Sequence, residues 1–280
     1  MANNPAYNRL EKDAQSGYAA FGGQQGSATH AGTDALSADA LQNMYNQPSA
    51  GPIDTGRVTM DDVVMKTMAL FSIVLVFGAI GWVTASANEG LGLMLLMGGM
   101  IGTLVLGLVI AFKKTLSVPL ILGYAVLEGL FVGAVSQVFN SVEGWEGIVP
   151  QAVLATLATF VGMFLAYKTG LIKVTSKFRR IMTMAIIGYA LFSVVNFFFA
   201  LFFSDSAFGI GGTGGLGILI SVVAVGLASL SLALDFDSID YAVRTGAPRQ
   251  YAWLLAHGLI VTLVWLYMEF LRLLARLRGE

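Results

Sequence analysis

The run LGILISVVAVGLASLSLALDF, residues 216–236, decides the fold. It carries no charge before Asp235, and its apolar residues are continuous rather than alternating, which reads as a helix and not as a half-buried strand. Such a run is long enough to cross a hydrocarbon core of roughly 30 Å. In lipid the backbone must satisfy its own hydrogen bonds, which leaves helices or closed barrels, and the unbroken pattern selects helices. Comparable stretches run from Val63 to Ala85, Leu91 to Phe112, Val118 to Phe139, Ile148 to Tyr167, Ile181 to Phe203 and Tyr251 to Leu277. The chain therefore reads as an all-α integral membrane protein, a bundle of about seven transmembrane helices.

Composition points the same way. Hydrophobic residues make up 56% and charged residues 12%, with a mean hydropathy of +0.74, whereas soluble domains are about a quarter charged. The net charge of −1 gives no basis for nucleic-acid binding. There is no cysteine, so disulfides and thiolate metal sites are excluded, and the two histidines, His30 and His257, are too few for a zinc site. Residues 1–58 are a different material, rich in Ala, Gly, Gln, Asn, Ser and Thr, and read as a disordered cytoplasmic tail or a docking segment. No charged n-region leads into an apolar core, so the start is not a signal peptide. Residues 59–280 form the membrane domain, with Thr59, Asp61 and Asp62 marking the first helix start.

Loop charges set the sidedness. Lys113 and Lys114, then Lys168, Lys173, Lys177, Arg179 and Arg180, then Arg244 and Arg249, fall in alternate connections. The opposite connections hold Glu89, Glu143, Glu146 and Asp205 and no Lys or Arg. The positive-inside rule places the N-terminus in the cytoplasm. Seven crossings then put Arg272, Arg276 and Arg278 on the far side, against that rule. Either the last segment crosses despite them or one segment is re-entrant; seven crossings are preferred. Gly98-x-x-x-Gly102 and Gly129-x-x-x-Gly133 each place two small residues on one helix face, a packing pattern.

Acids at or inside a bilayer are costly and usually mark a proton or cation path. Asp235, Asp237 and Asp240 close the sixth segment. Asp237 and Asp240 share a helix face while Asp235 points away, and acids there oppose the helix dipole. Glu269 interrupts the last segment, with Arg272 three residues on as an intrahelical partner. The alternative is that Glu269 faces the bundle centre, meets Asp237 and shares a proton with it, as a pH-controlled latch or as oxygen ligands for Ca²⁺. Glu128 in the third segment is a second candidate for a conduction path, with His257 and Asn196 weaker. Several activities find no support. There is no lysine in the last segment for retinal, no Gly-x-Gly-Asp run for an aspartyl protease, no serine–histidine match for a rhomboid-like protease and no phosphate-cradling loop. An enzyme is not expected.

Leu127-Glu128-Gly129-Leu130, Leu234-Asp235-Phe236-Asp237-Ser238-Ile239, Gly246-Ala247-Pro248 and Val261-Thr262-Leu263-Val264-Trp265-Leu266-Tyr267-Met268-Glu269, in this order, resemble the Bax inhibitor-1 family in its bacterial branch. The resemblance covers about residues 60–277 and not the tail. It implies a central C-terminal helix surrounded by the other six, no cofactor, and a pH-sensitive Ca²⁺ leak across the bacterial inner membrane. The leak would be governed by a pair of acids that land on Asp237 and Glu269. Asp235, Asp240, Glu128, His257 and Arg272 are the expected supporting residues. Glu stands where the family commonly has Asp, and the stretch from Trp253 to Glu269 is about two turns longer than the family pattern. The resemblance also allows a non-transporting regulator of a membrane protease, working through the tail.

Overall fold

In a computed structural model the described residues are 56–113, 115–203 and 208–279. They lie within one compact unit, Ala50–Glu280. The expected tail, up to residue 55, and the loop charges Lys114 and Asp205 fall outside the described residues.

Seven helices long and apolar enough to span a membrane follow one another. They are α1 (Met60–Ala87), α2 (Glu89–Phe112), α3 (Val118–Asn140), α4 (Ile148–Lys168), α5 (Ser176–Phe203), α6 (Gly215–Thr245) and α7 (Tyr251–Arg278). Their outer faces carry exposed Leu75, Val83, Leu191 and Phe202, among many others, a surface suited to hydrocarbon rather than water. Local chemistry sets the ends. Thr59 and Asp62 form a capping box at the start of α1. Pro119 occupies the first turn of α3, where a missing N–H costs nothing. Asn88 alone separates α1 from α2: its N–H bonds Thr84 O, and its Oδ1 accepts from Leu91 N at 3.0 Å.

The innermost helix is α7, which packs against α1, α3, α4 and α6. Leu259, Ile260, Leu263 and Leu266 meet Leu70 and Val74 of α1, Ile121 and Ala125 of α3, and Ala228 and Leu232 of α6. Tyr267, Leu271 and Ala275 continue the core into a second cluster with Trp145, Ile148 and Phe208. α2 and α5 are peripheral. Among the described residues α2 packs on α1 and α3, and the backbone of α5 comes close only to that of α6; Met182 is the sole buried residue of α5.

Glycines let α1 and α3 touch backbone to backbone. A Cβ built at Gly133 would lie 2.0 Å from Gly78 O, one at Gly81 2.4 Å from Leu130 O, and one at Gly129 2.7 Å from Val74 O. The Gly129/Gly133 face is therefore a packing face. The Gly98/Gly102 pair behaves differently: Gly98 meets nothing within 4 Å, and Gly99 is the residue pressed against α3, its added Cβ 2.7 Å from Phe131 Cβ.

The end of α7 selects seven crossings. Arg278 Nη1 donates to Gly144 O (3.3 Å) and Glu146 O (3.0 Å) and Nη2 to Gln151 Oε1 (3.0 Å), in the α3–α4 connection and early α4. Arg276 donates to Gly217 O and to Ser221 Oγ (2.9 Å) at the start of α6. These are the connections opposite the start of α1. At the other end, Val58 N donates to Ala247 O (2.8 Å), Arg249 N to Gly56 O (2.8 Å) and Arg249 Nε to buried Asp62 (2.9 Å). Arg57 and Val58, expected in the tail, thus belong to the packed unit.

Gly133→Ala should lower thermal stability in detergent by about 2 kcal/mol or more, because backbone must separate to admit the methyl group. Gly98→Ala should leave the melting temperature unchanged, since open space surrounds it.

Candidate functional site

Asp237 and Glu269 do not meet. Asp235, two residues before Asp237, lies against α7 at Gly258, where an added Cβ would be 3.9 Å from its Oδ1. Glu269 is eleven residues beyond Gly258 (258 to 269), about 16 Å further along α7, while Asp237 lies on the opposite side of Asp235 along α6. The expected shared proton and shared Ca²⁺ site between the two acids therefore have no geometric basis in this structure. The physical reason is helix rise: the eleven residues from Gly258 to Glu269 carry Glu269 towards the far end of the bundle.

Each acid has an arginine instead. Asp237 Oδ2 accepts from Arg179 Nη2, on the first turn of α5. Glu269, 1% exposed, accepts from Arg272 through both oxygens, from Trp265 Nε1 (2.9 Å) and from Tyr189 OH of α5 (2.6 Å). The Tyr189 ring stacks on Trp265, with centroids 5.7 Å apart. The intrahelical Glu269–Arg272 pair foreseen in the sequence is present, and it faces inward. Farther along α5, Asn196 donates to Phe208 O (3.1 Å) and accepts from Ile210 N (2.7 Å). Gly209 between them has φ +67°, and a side chain there would collide with Asn196. The peripheral helix α5 is thus tied inward by three polar clasps, and two of them end on the acids that the sequence singled out.

The remaining candidates separate. Asp240 makes an exposed i,i+4 pair with Arg244 (3.2 Å), worth little in water. Asp235, which periodicity turned away from the other two, is the acid that faces α7; Thr262 stands beside it, and its Oδ2 is buried without a hydrogen-bond partner among the described residues. Glu128 is buried on α3 next to Tyr124, whose ring meets His257 edge-on at 4.5 Å. Buried carboxylates therefore stand at several depths within the bundle. No three His, Cys, Asp or Glu side chains gather to hold a metal ion among the described residues.

Arg179, Tyr189 and Trp265 escaped the sequence reading. Arg179 was assigned to loop charge, and a tyrosine in an apolar run carries no distinguishing signal. The one available signal was negative: Asp237 lacks a basic neighbour within a helical turn on its own helix, so a partner from another helix was required.

Seven apolar helices, the last of them innermost and carrying a buried carboxylate paired with an arginine, define a multi-pass α-helical membrane protein. Within that class, the sequence pattern of the Bax inhibitor 1 like family matches residues 4–279, and the chain belongs to that family. The match begins at residue 4, so the likeness extends through the N-terminal tail rather than stopping near residue 60. No curated protein matches the sequence.

Removing the Arg272 side chain leaves a buried carboxylate without its cation, so Arg272→Ala should cost about 3 kcal/mol. Tyr189→Phe, which removes one donor of three, should cost nearer 1 kcal/mol. Adding Glu269→Gln to Arg272→Ala should restore part of the loss. Thermal unfolding of the three variants in detergent checks this order.

Proposed function

We propose that the protein is a proton-sensitive cation leak, with Ca²⁺ as a transported ion, in which Asp237 and Glu269 act on one helix rather than on each other. One observation carries the reading: both acids hold α5, Asp237 through Arg179 and Glu269 through Tyr189. Charge on each carboxylate favours its clasp. Protonation weakens the Arg179 bond to Asp237 and the Tyr189 bond to Glu269, and so loosens α5 from α6 and α7. Because α5 buries almost nothing apolar, polar clasps are a large share of what fixes it. Half-buried Asp235 and buried Glu128 supply acidic groups along the interior, where such groups otherwise only cost energy. Family membership is consistent with this non-enzymatic role. The reading places the start of α1 on the cytoplasmic face of a bacterial inner membrane, following the loop charges.

Ca²⁺ flux into proteoliposomes should be higher in acid than at neutral pH. Asp237→Asn and Glu269→Gln should each leak at neutral pH as the wild type does in acid, with a flattened pH profile. No flux at any pH, or pH profiles that match wild type in both variants, would remove the mechanism. If the protein instead regulates a membrane partner through its tail, deleting residues 1–55 would abolish its effect in cells while both acid variants stay active.

A further inference from the structure

A chamber of about 370 Å³ lies between α5, α6, α7 and the end of α3, a size typical of small-molecule sites. Among the described residues its charged lining consists of Glu269, Arg272 and Arg276. Two guanidinium groups and one carboxylate leave one positive charge unbalanced among these. Glu269 pairs with Arg272. Arg276, only 5% exposed, pairs with no carboxylate among the described residues; carbonyls, Ser221 and the Phe208 ring (5.3 Å) surround it, and its Nε has no hydrogen-bond partner. Arg272 and Arg276 are also one helical turn apart, where like charges repel. An isolated cation in so dry a place is costly unless a counter-charge arrives. Trp145, Phe192 and Phe208 give the same chamber an aromatic wall.

We propose that this chamber binds a monoanion, a carboxylate or phosphate, that settles on the Arg272–Arg276 side with any apolar body along the aromatic wall. The site goes beyond the leak reading and does not depend on it. The same chemistry is offered by an acidic lipid entering from the bilayer and by a free anion from water. A divalent cation is disfavoured there by the net charge.

The test measures equilibrium binding to the full-length protein in nanodiscs, with two probes. Dibrominated stearate quenches tryptophan on contact, so it should quench Trp145, and the Trp145→Phe variant should lose that component. Inorganic phosphate is followed by thermal shift. Charge orders the affinities: Glu269→Gln, with two net positive charges, should bind tighter than wild type, and Arg272→Gln, with none, should bind about tenfold weaker or worse. A gain in the first variant cannot arise from misfolding. Asp237 does not line the chamber, so the flux reading is scored on the pH profile of Asp237→Asn and the binding reading on the charge order of Glu269→Gln and Arg272→Gln, which separates failure of one from failure of the other. Ordered binding of stearate alone identifies a lipid source, of phosphate alone a water-borne one, and of both a shared site. Binding of neither, an affinity order unrelated to charge, or equal quenching by the uncharged methyl ester would overturn the proposal.

Discussion

Charge inside a hydrocarbon slab must be answered by the chain itself, and α7 is built around that constraint. Over its last three turns it carries one acid and three arginines. Three of the four are met by a group from another part of the bundle, Tyr189 of α5 for Glu269, the start of α6 for Arg276 and the α3–α4 connection for Arg278, while Arg272 pairs with Glu269 on α7 itself. These contacts fix the rotation of α7 more firmly than apolar packing does, because lipid tails compete with leucine for leucine but not with a carboxylate for an arginine. The core clusters on either side then fill in around a helix already aligned.

The same constraint explains an apparent breach of sidedness. Arg272, Arg276 and Arg278 stand at the end where the loops are otherwise acidic. The charge rule concerns basic residues free to interact with the cytoplasmic leaflet and the insertion machinery. These three are bound to carbonyls and side chains within the bundle. They count as structure rather than as loop charge.

The helices and their order were legible in hydropathy alone, since crossing a bilayer demands long unbroken apolar runs. Boundaries slipped where helices run past the apolar stretch: α6 continues through Asp235, Asp237 and Asp240 to Thr245, and α5 begins at Ser176 among basic residues. The acids were visible because they are rare in such runs. Their partners were not. Arg179 was one of five basic residues in a connection, and Tyr189 one apolar-looking residue among many; only packing between α5, α6 and α7 distinguishes them. Periodicity gave Asp235 its correct orientation relative to Asp237 but not the neighbour it faces, because that depends on which helix lies alongside. The separation of Glu269 from Asp237 follows from helix rise once the level at which Asp235 meets α7 is known.

A single residue, Asn88, joins two helices that each cross the membrane. A connection so short couples the two: neither helix can slide along the membrane normal without dragging the other, and Asn88 holds the backbone groups at the hairpin's tip. The surface that receives Gly129 and Gly133 of α3 lies on α1, so the depth of that hairpin also sets the depth of α3.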